Sequence, residues 1–262
     1  MRGNDEAHHI LRYFENNLRY DGRGLTDYRN IEYELNVVKT AEGSASVKFG
    51  GTHVIAGVKL SIDQPYPDTP NKGNLMVEVS LSPLASEEYM PGPPDIDAVE
   101  FSRVVDRGLR EAPALDFEKL CIKEGEAVWN VSVDIVVIND DGNLIDVAGF
   151  AAMLALMNAR FPKVVDDKVD YHELTDEKLP IKHIVLPTTV FKIDKYLFID
   201  PIVEEFELAE ARLTLTRRDD GKICAIQKGG DYPLKKEDIE KMLVLSKEKF
   251  EELLKIAKGV TQ

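Results

Sequence analysis

The chain has 262 residues, 44% of them hydrophobic and 31% charged. That balance excludes intrinsic disorder and is ample for a core without disulfide or metal staples. With 33 basic and 47 acidic residues the net charge is −14. Such a chain repels phosphate at long range, so a nucleic-acid role requires a local basic patch or a basic partner.

The opening stretch Met1–Arg19 has no long apolar run, so no secretory leader is expected. No segment reaches the roughly 18 apolar residues of a membrane helix, and a soluble, cytoplasmic protein is expected. Cys121 and Cys224 make no disulfide framework and read as buried reduced thiols.

Asp5–Arg19 reads as a short amphipathic helix, with Ile10, Leu11, Phe14 and Leu18 on one face and Asn4 or Asp5 as cap. Asp21-Gly22-Arg23-Gly24 breaks it. Short strands are expected over Glu32–Val38 and Ala45–Phe49. Past the Gly50-Gly51 turn, His53–Ser61 alternates, placing Val54, Ala56, Val58 and Leu60 on one side. A proline-rich loop, Gln64–Gly73, leads to a second alternating strand, Leu75–Leu81.

Pro91-Gly92-Pro93-Pro94 precedes a helix over Ile96–Ala112. Val128–Ile138 is a long strand with Trp129, Val131, Val133, Ile135 and Val137 on one face. The turn Asn139–Asn143 leads into a small-residue helix, Asp146–Phe161, suited to close packing on a sheet. The polar run Pro162–Pro180 reads as a connector. Strands Ile184–Phe191, Lys195–Ile199, Ala211–Thr216 and Lys222–Gln227 follow. A helix over Lys236–Lys258, with Ser246 as a polar gap and Gly259 as C-cap, closes the chain. The order implies an α+β fold, with mixed sheets, packed helices and two halves of similar plan.

Within the helix Ile96–Ala112, Arg103, Arg107 and Arg110 fall within about 60° of one another at about 100° per residue. Phe101, Val105, Gly108, Leu109 and Ala112 take the opposite side. A solvated face tied by Glu100, Asp106 and Glu111 accounts for this pattern as well as a phosphate-binding stripe does. The histidines carry less. His8 and His9 read as surface residues, His53 as a satisfied strand histidine, and His172 and His183 as isolated. No spacing matches a zinc site, an EF-hand or a P-loop, so no metal or cofactor is expected.

Several blocks then stand in a telling order: Asp21-Gly22-Arg23, Ala41-Glu42-Gly43-Ser44-Ala45, Gly51–Val58, Asp140-Asp141-Gly142-Asn143 before an alanine-rich helix, and Ile199-Asp200-Pro201 with Glu204-Glu205. Together they resemble the RNase PH superfamily from about Asp21 to Leu254. Pro65–Leu75, Pro91–Asp95 and Ser102–Arg110 are similar to its branch of non-catalytic archaeal exosome subunits. The resemblance implies an RNase PH-like fold divided as residues 1–24 (helix and lead-in), 25–162 (first half), 163–182 (connector) and 183–259 (second half). It also implies a catalytic RNase PH-like partner, an alternating ring of three heterodimers, RNA-binding cap subunits, and RNA degraded from its 3′ end by phosphorolysis. In such a ring Arg103, Arg107 and Arg110 would hold RNA phosphates, since an arginine fork grips phosphate without reading sequence.

The same resemblance implies that this chain is not itself an enzyme. Active relatives follow the Ile-Asp-Pro-like strand end with a pattern similar to D-L-x-x-x-E-D-x-x-x-x-x-D. Laid from Asp200, it puts Phe206 and Arg212 where catalytic aspartates stand. A phenyl ring cannot act as base or metal ligand, and a guanidinium is a permanent cation. Active members also follow the Asp-Gly turn with a hydroxyl residue and an arginine that grip phosphate; here Leu144 and Ile145 follow Asn143, and Asp146 adds negative charge. No catalytic residue is therefore assigned. The alternative is a metal-dependent nuclease with a site relocated to Glu204, Glu205 and Glu207, against which stands the simpler reading of those residues, with Glu210, as a solvated acidic turn.

Overall fold

The computed structural model describes the backbone of residues 2–165 and 168–260; the side chains of 2–8, 165, 168 and 172 lie outside the described set, and with them those of His8 and His172. A first, six-stranded sheet holds β1 (Ile31–Leu35), β2 (Gly43–Phe49), β3 (Thr52–Asp63), β4 (Asn74–Ser80), β5 (Cys121–Lys123) and β6 (Ala127–Asn139). Its order is β1-β2-β3-β6-β4, with β5 against β6. The spine is the antiparallel pair β3–β6, in register from His53 opposite Asn139 to Asp63 opposite Val128. Val54, Ala56, Val58 and Leu60 are buried against the core, as are Val131, Val133, Ile135 and Val137. Period-two alternation of small and branched residues puts one set on a single face, where it packs well. β4 joins β6 in parallel, because the intervening chain, including helix α2 (Ile96–Glu111), crosses back over the sheet.

A second sheet, β9 (Val185–Ile193), β10 (Tyr196–Ile199), β11 (Ala211–Arg218) and β12 (Ile223–Gly229), is antiparallel in the order β10-β9-β11-β12. Helix α3 (Leu144–Asn158) packs on β2 and β3 of the first sheet and on β9 of the second. Every residue from Leu144 to Met157 is buried. A helix that is apolar all round must be covered all round, which fits its place between two layers. Burying a side chain such as Phe150 or Leu154 there contributes about 1.5–3 kcal/mol relative to exposure. Helix α5 (Lys236–Gly259) packs against β9 and β11. Helix α2 spans the seam, touching β4, α3, β9 and β12. Asp95 caps it by accepting the Ala98 N–H at 2.8 Å.

The structure departs from expectation in several places. Helix α1 (Arg2–Glu15) stops short of Arg19. Asn17 turns left-handed at φ 53° and Leu18 is exposed, while Ile10 and Phe14 hold the apolar contact. The polar connector contains a hairpin, β7 (Arg160–Val165) with β8 (Lys168–Lys178). Its cross-strand ion pairs, Lys163–Glu173 at 2.8 Å and Arg160–Asp176 at 3.2 Å, use charged side chains where a half-buried strand would alternate, so no period-two signal was present. Ser246 is buried rather than a gap, and accepts a hydrogen bond from Arg217. Cys121 and Cys224 are only partly buried. His53 is satisfied by Ser46 at 2.8 Å, whereas His183 is not isolated and meets Asp219 at 2.9 Å. No helix among the described residues is long and apolar enough to cross a membrane.

Candidate functional site

Three of the sequence blocks meet around one carboxylate. Asp200, at the end of β10, is fully buried with a left-handed backbone (φ 46°). Arg29 grips it two ways, Nη2 to Oδ1 at 2.8 Å and Nε to Oδ2 at 3.0 Å, and its own backbone N–H adds a third bond at 2.7 Å. Arg23 reaches Oδ2 at 3.2 Å and Asn143 donates to Oδ1 at 2.9 Å. Arg29 also bonds the carbonyl and carboxylate of Asp141, at 2.6 and 3.0 Å. Burial pushes the Asp200 carboxyl up, but the hydrogen bonds and charge of Arg29, with Arg23 behind it, prevail and hold it below the ordinary range. The turn before α3 is pressed on this strand end. At Gly142 (φ 81°) a methyl group would come within 2.5 Å of the Pro201 carbonyl oxygen, so only glycine fits.

A cleft of about 210 Å³ opens beside this anchor. Leu144 and Ile145 at the start of α3, Phe206 on the short helix α4 (Val203–Glu207) and Arg212 at the start of β11 all line it. The tertiary structure thus gathers into one place the four positions at which catalytic or phosphate-gripping groups were expected to be lost. Phe206 meets Phe191 edge-on with ring centroids 5.9 Å apart. The Arg212 guanidinium sits 5.9 Å from the Phe206 ring and pairs with Glu100 of α2 at 2.8 Å. Other charged groups in the lining are Glu88, Asp97, Asp140 and Glu207. The Tyr89 hydroxyl donates to Asp140. Burial, then the neighbouring Asp95 and Glu100, hold the Asp97 carboxyl above its ordinary range against the opposing charge of Arg212. Walls of this sign repel inorganic phosphate, and the side chains of Leu144 and Ile145 offer it no donor.

Two acidic features differ from expectation. Asp146 does not face the anion position. It is buried behind α3, where Thr189 donates to it from N–H at 2.9 Å and from Oγ1 at 2.7 Å, and burial raises its pKa to about 6. The cleft owes its negative charge to other residues. Of the acidic turn, Glu204 and Glu207 are exposed as a solvated turn requires, and Glu205 is the exception. Glu205 is fully buried, bound by Arg19 through Nε at 2.9 Å and through Nη2, and it also accepts the Ile202 N–H at 3.1 Å. Arg19 gives two further N–H groups to the carbonyls of Ile199 (2.7 Å) and Asp200 (2.9 Å). Among the described residues no three His, Cys, Asp or Glu side chains are grouped to hold a metal. Sequence reading missed Arg19 and Arg29; their carboxylate partners lie 186 and 171 residues away, beyond any local pattern.

A second cleft, of about 460 Å³, lies across α2. Arg103, Arg107 and Arg110 line it, facing Thr214 and Thr216 of β11 and Gln227 of β12. The three arginines are not equivalent. Arg110 is held by Asp106, Nη2 to Oδ1 at 2.6 Å and Nε to Oδ2 at 3.1 Å, and by the Leu75 carbonyl at 2.7 Å. Arg103 and Arg107 are exposed, and among the described residues neither has a hydrogen-bond or ion-pair partner. The reading of a face tied down by its acidic neighbours therefore describes Arg110 alone, since Glu100 is turned to Arg212.

Comparison with known proteins agrees with this arrangement. The model of the 3′ exoribonuclease family, domain 1, matches residues 27–162, and that of domain 2 matches residues 183–249. The exosome complex component Rrp42 of Saccharolobus islandicus is 45% identical over 234 residues, covering 88% of this chain and 85% of its own length. That of Methanopyrus kandleri is 42% identical over 258 residues, covering 97% and 96%. A chain of the Archaeoglobus fulgidus exosome, solved with RNA bound to the active site, is 39% identical with a TM-score of 0.89, covering 97% of this chain and 98% of that one. With its two domains of mixed sheets and packed helices, the chain belongs to the 3′ exoribonuclease (RNase PH) family, among the Rrp42 components of the exosome.

Proposed function

We propose that this chain is a non-catalytic subunit of an archaeal exosome ring. It pairs with a catalytic RNase PH-like subunit, helps shape that partner's active site, and holds RNA for 3′→5′ phosphorolysis. The assembly is an alternating hexamer of three heterodimers with RNA-binding cap subunits on one face, working in the cytoplasm. Residues 25–162 and 183–259 form the two halves, joined by 163–182.

One observation carries this reading: the cleft where phosphorolysis belongs is lined by Leu144, Ile145, Phe206 and Arg212 among carboxylates. Phosphorolysis needs an anion held in line and a group that manages charge at the leaving oxygen, and these side chains supply neither. The arginine face supports the RNA role. Arg103 and Arg107 are exposed cations with no partner among the described residues, free to neutralise phosphates, while two of the three carboxylates in the same lining, Glu100 and Asp106, are committed to Arg212 and Arg110.

Purified alone and supplied with RNA and phosphate, the chain releases no nucleoside diphosphate; addition of the catalytic partner produces release. In that assembly R103A/R107A lowers RNA affinity by about tenfold or more and flattens the slope of log K against log salt by about 1.4, two phosphate contacts at about 0.7 each for single strands. Nucleoside diphosphate from the isolated chain overturns the non-catalytic assignment. Unchanged affinity in the double variant means the arginines are inert and the subunit purely structural.

A further inference from the structure

A chain of hydroxyl groups joins the buried Asp146 to the floor of the arginine cleft. Asp146 accepts twice from Thr189 of β9, at Oδ2 from the N–H at 2.9 Å and at Oδ1 from Oγ1 at 2.7 Å. Thr189 Oγ1 lies 2.9 Å from Oγ1 of Thr214, its cross-strand partner on β11. Thr214 in turn lines the cleft of Arg103 and Arg107. Alternation along β11 puts it on one face with Arg212 and Thr216. That face is turned to α2: Arg212 meets Glu100, and a methyl group on Gly108 would come within 2.9 Å of Thr216 Cγ2. Asp146 and Thr189 are fully buried and Thr214 is 1% exposed, so the chain runs beneath the surface from α3 to the cleft.

Each hydroxyl carries one proton, and that fixes the direction of the chain. An ionised Asp146 only accepts, so Thr189 donates to it and Thr214 must donate to Thr189. The cleft then meets only the lone pairs of Thr214, which disfavour an anion. A protonated Asp146 donates from Oδ1, because Oδ2 faces an N–H, which cannot accept. Thr189 then turns its proton to Thr214, and the Thr214 proton is released toward the cleft. Burial keeps the acid form within reach of neutral pH: it raises Asp146 to about 6, against the Thr189 hydrogen bonds and with the like charge of Asp200. The other polar groups facing Asp146 are Asn143 at the start of α3, which donates to Asp200, and the phenol of Tyr28, beside Lys249 and Glu252 of α5. β1, β2, β3, β6 and α2 meet α3 through the apolar core. We propose that Asp146, Thr189 and Thr214 form a proton-linked relay that reverses the hydrogen-bonding polarity of the cleft floor, so that the cleft holds RNA phosphate more tightly when Asp146 is protonated. The RNA part of this proposal rests on the role proposed above for Arg103 and Arg107.

The test has two arms. In the purified full-length chain, the Thr214 methyl resonance is followed by NMR as pH is varied across the Asp146 titration. It is expected to shift with a midpoint near 6 in the parent and to stay fixed in D146N and in T189V. T189V keeps the Asp146 charge and removes only the middle hydroxyl, so it separates a relay from direct electrostatics. In the ring assembled with the catalytic partner, acidification through the same range is expected to raise affinity for single-stranded RNA by about threefold more in the parent than in T214V. D146N, whose amide donates where the acid does, should bind RNA at neutral pH as the parent does in acid. Circular dichroism confirms that the variants fold. A Thr214 methyl that does not titrate in the parent, or that still titrates in T189V, overturns the relay. Equal pH dependence of RNA affinity in the parent and T214V overturns its link to RNA. Unchanged RNA affinity in R103A/R107A instead removes the cleft as the RNA site, and the methyl titration alone then decides the relay.

Discussion

The two clefts flank one helix and differ in charge. On one side of α2, Asp97 and Phe101 join an acidic, aromatic pocket; on the other, Arg103, Arg107 and Arg110 line a cleft in which their charge balances that of Glu100, Asp106 and Glu111. Glu100, on the arginine side, reaches Arg212, which lines the acidic one, and this ion pair marks the boundary. The difference teaches that the net charge of −14 is a poor guide to what the surface binds. Fields fall off over about 10 Å at moderate salt, so two clefts on the same helix can differ in local charge. Beneath the acidic cleft, Asp200 is held by Arg29 and by the Asn143 side-chain amide.

The largest expected effect tests that scaffold. R19A strips Glu205 of its partner while leaving it buried, along with the carbonyls of Ile199 and Asp200, and should lower unfolding free energy by about 3–5 kcal/mol in urea titrations. A loss under about 1 kcal/mol would mean that water reaches Glu205, and that the acidic segment is looser than its geometry indicates.

The next contrast lies between two buried aspartates. Asp146 titrates near 6 in the fold against an ordinary value near 3.8, so the native state holds its proton over a range where the unfolded chain has released it. Stability from this group is therefore highest at low pH and declines as pH rises from about 4 to 6, levelling above that. Asp200 has the opposite sign: its pKa is lowered, so its contribution is present above the unfolded value and is lost as pH falls through the folded one. Subtracting the pH–stability profile of D146N from that of the parent should give a falling curve of about 2–3 kcal/mol across that window. Thr189 retains Thr214 Oγ1 at 2.9 Å as an alternative partner in the variant. A flat difference would place the Asp146 titration at its ordinary value.

The smallest effect sharpens the arginine face. R110A removes a guanidinium already committed to Asp106 and Leu75, and should change RNA affinity of the assembly by less than about threefold, whereas R107A removes a free one and costs more. Equal losses would show that Arg110 exchanges its internal partners for RNA.

Much of this molecule was legible in its sequence because the signals were local. Alternation in β3 and β6, small residues in α3 and an arginine stripe on α2 are patterns with periods of two or a few residues, and each corresponds to a face in the fold. The side chains at 144, 145, 206 and 212 were legible too, but only the fold brings them into one cleft. The β7–β8 hairpin was not, because charged strands without a buried face leave no periodic trace.

By itself, then, the sequence determined most of the elements and their order, and that positions 144, 145, 206 and 212 carry neither a carboxylate nor a hydroxyl. Tertiary structure alone decided that Asp146 turns inward to Thr189, that Glu205 is consumed by Arg19, and that Arg110 of the stripe is held by Asp106 while Arg103 and Arg107 have no partner among the described residues. The physical reason is that the state of a charged group depends on what packs around it, and those neighbours come from segments far away along the chain.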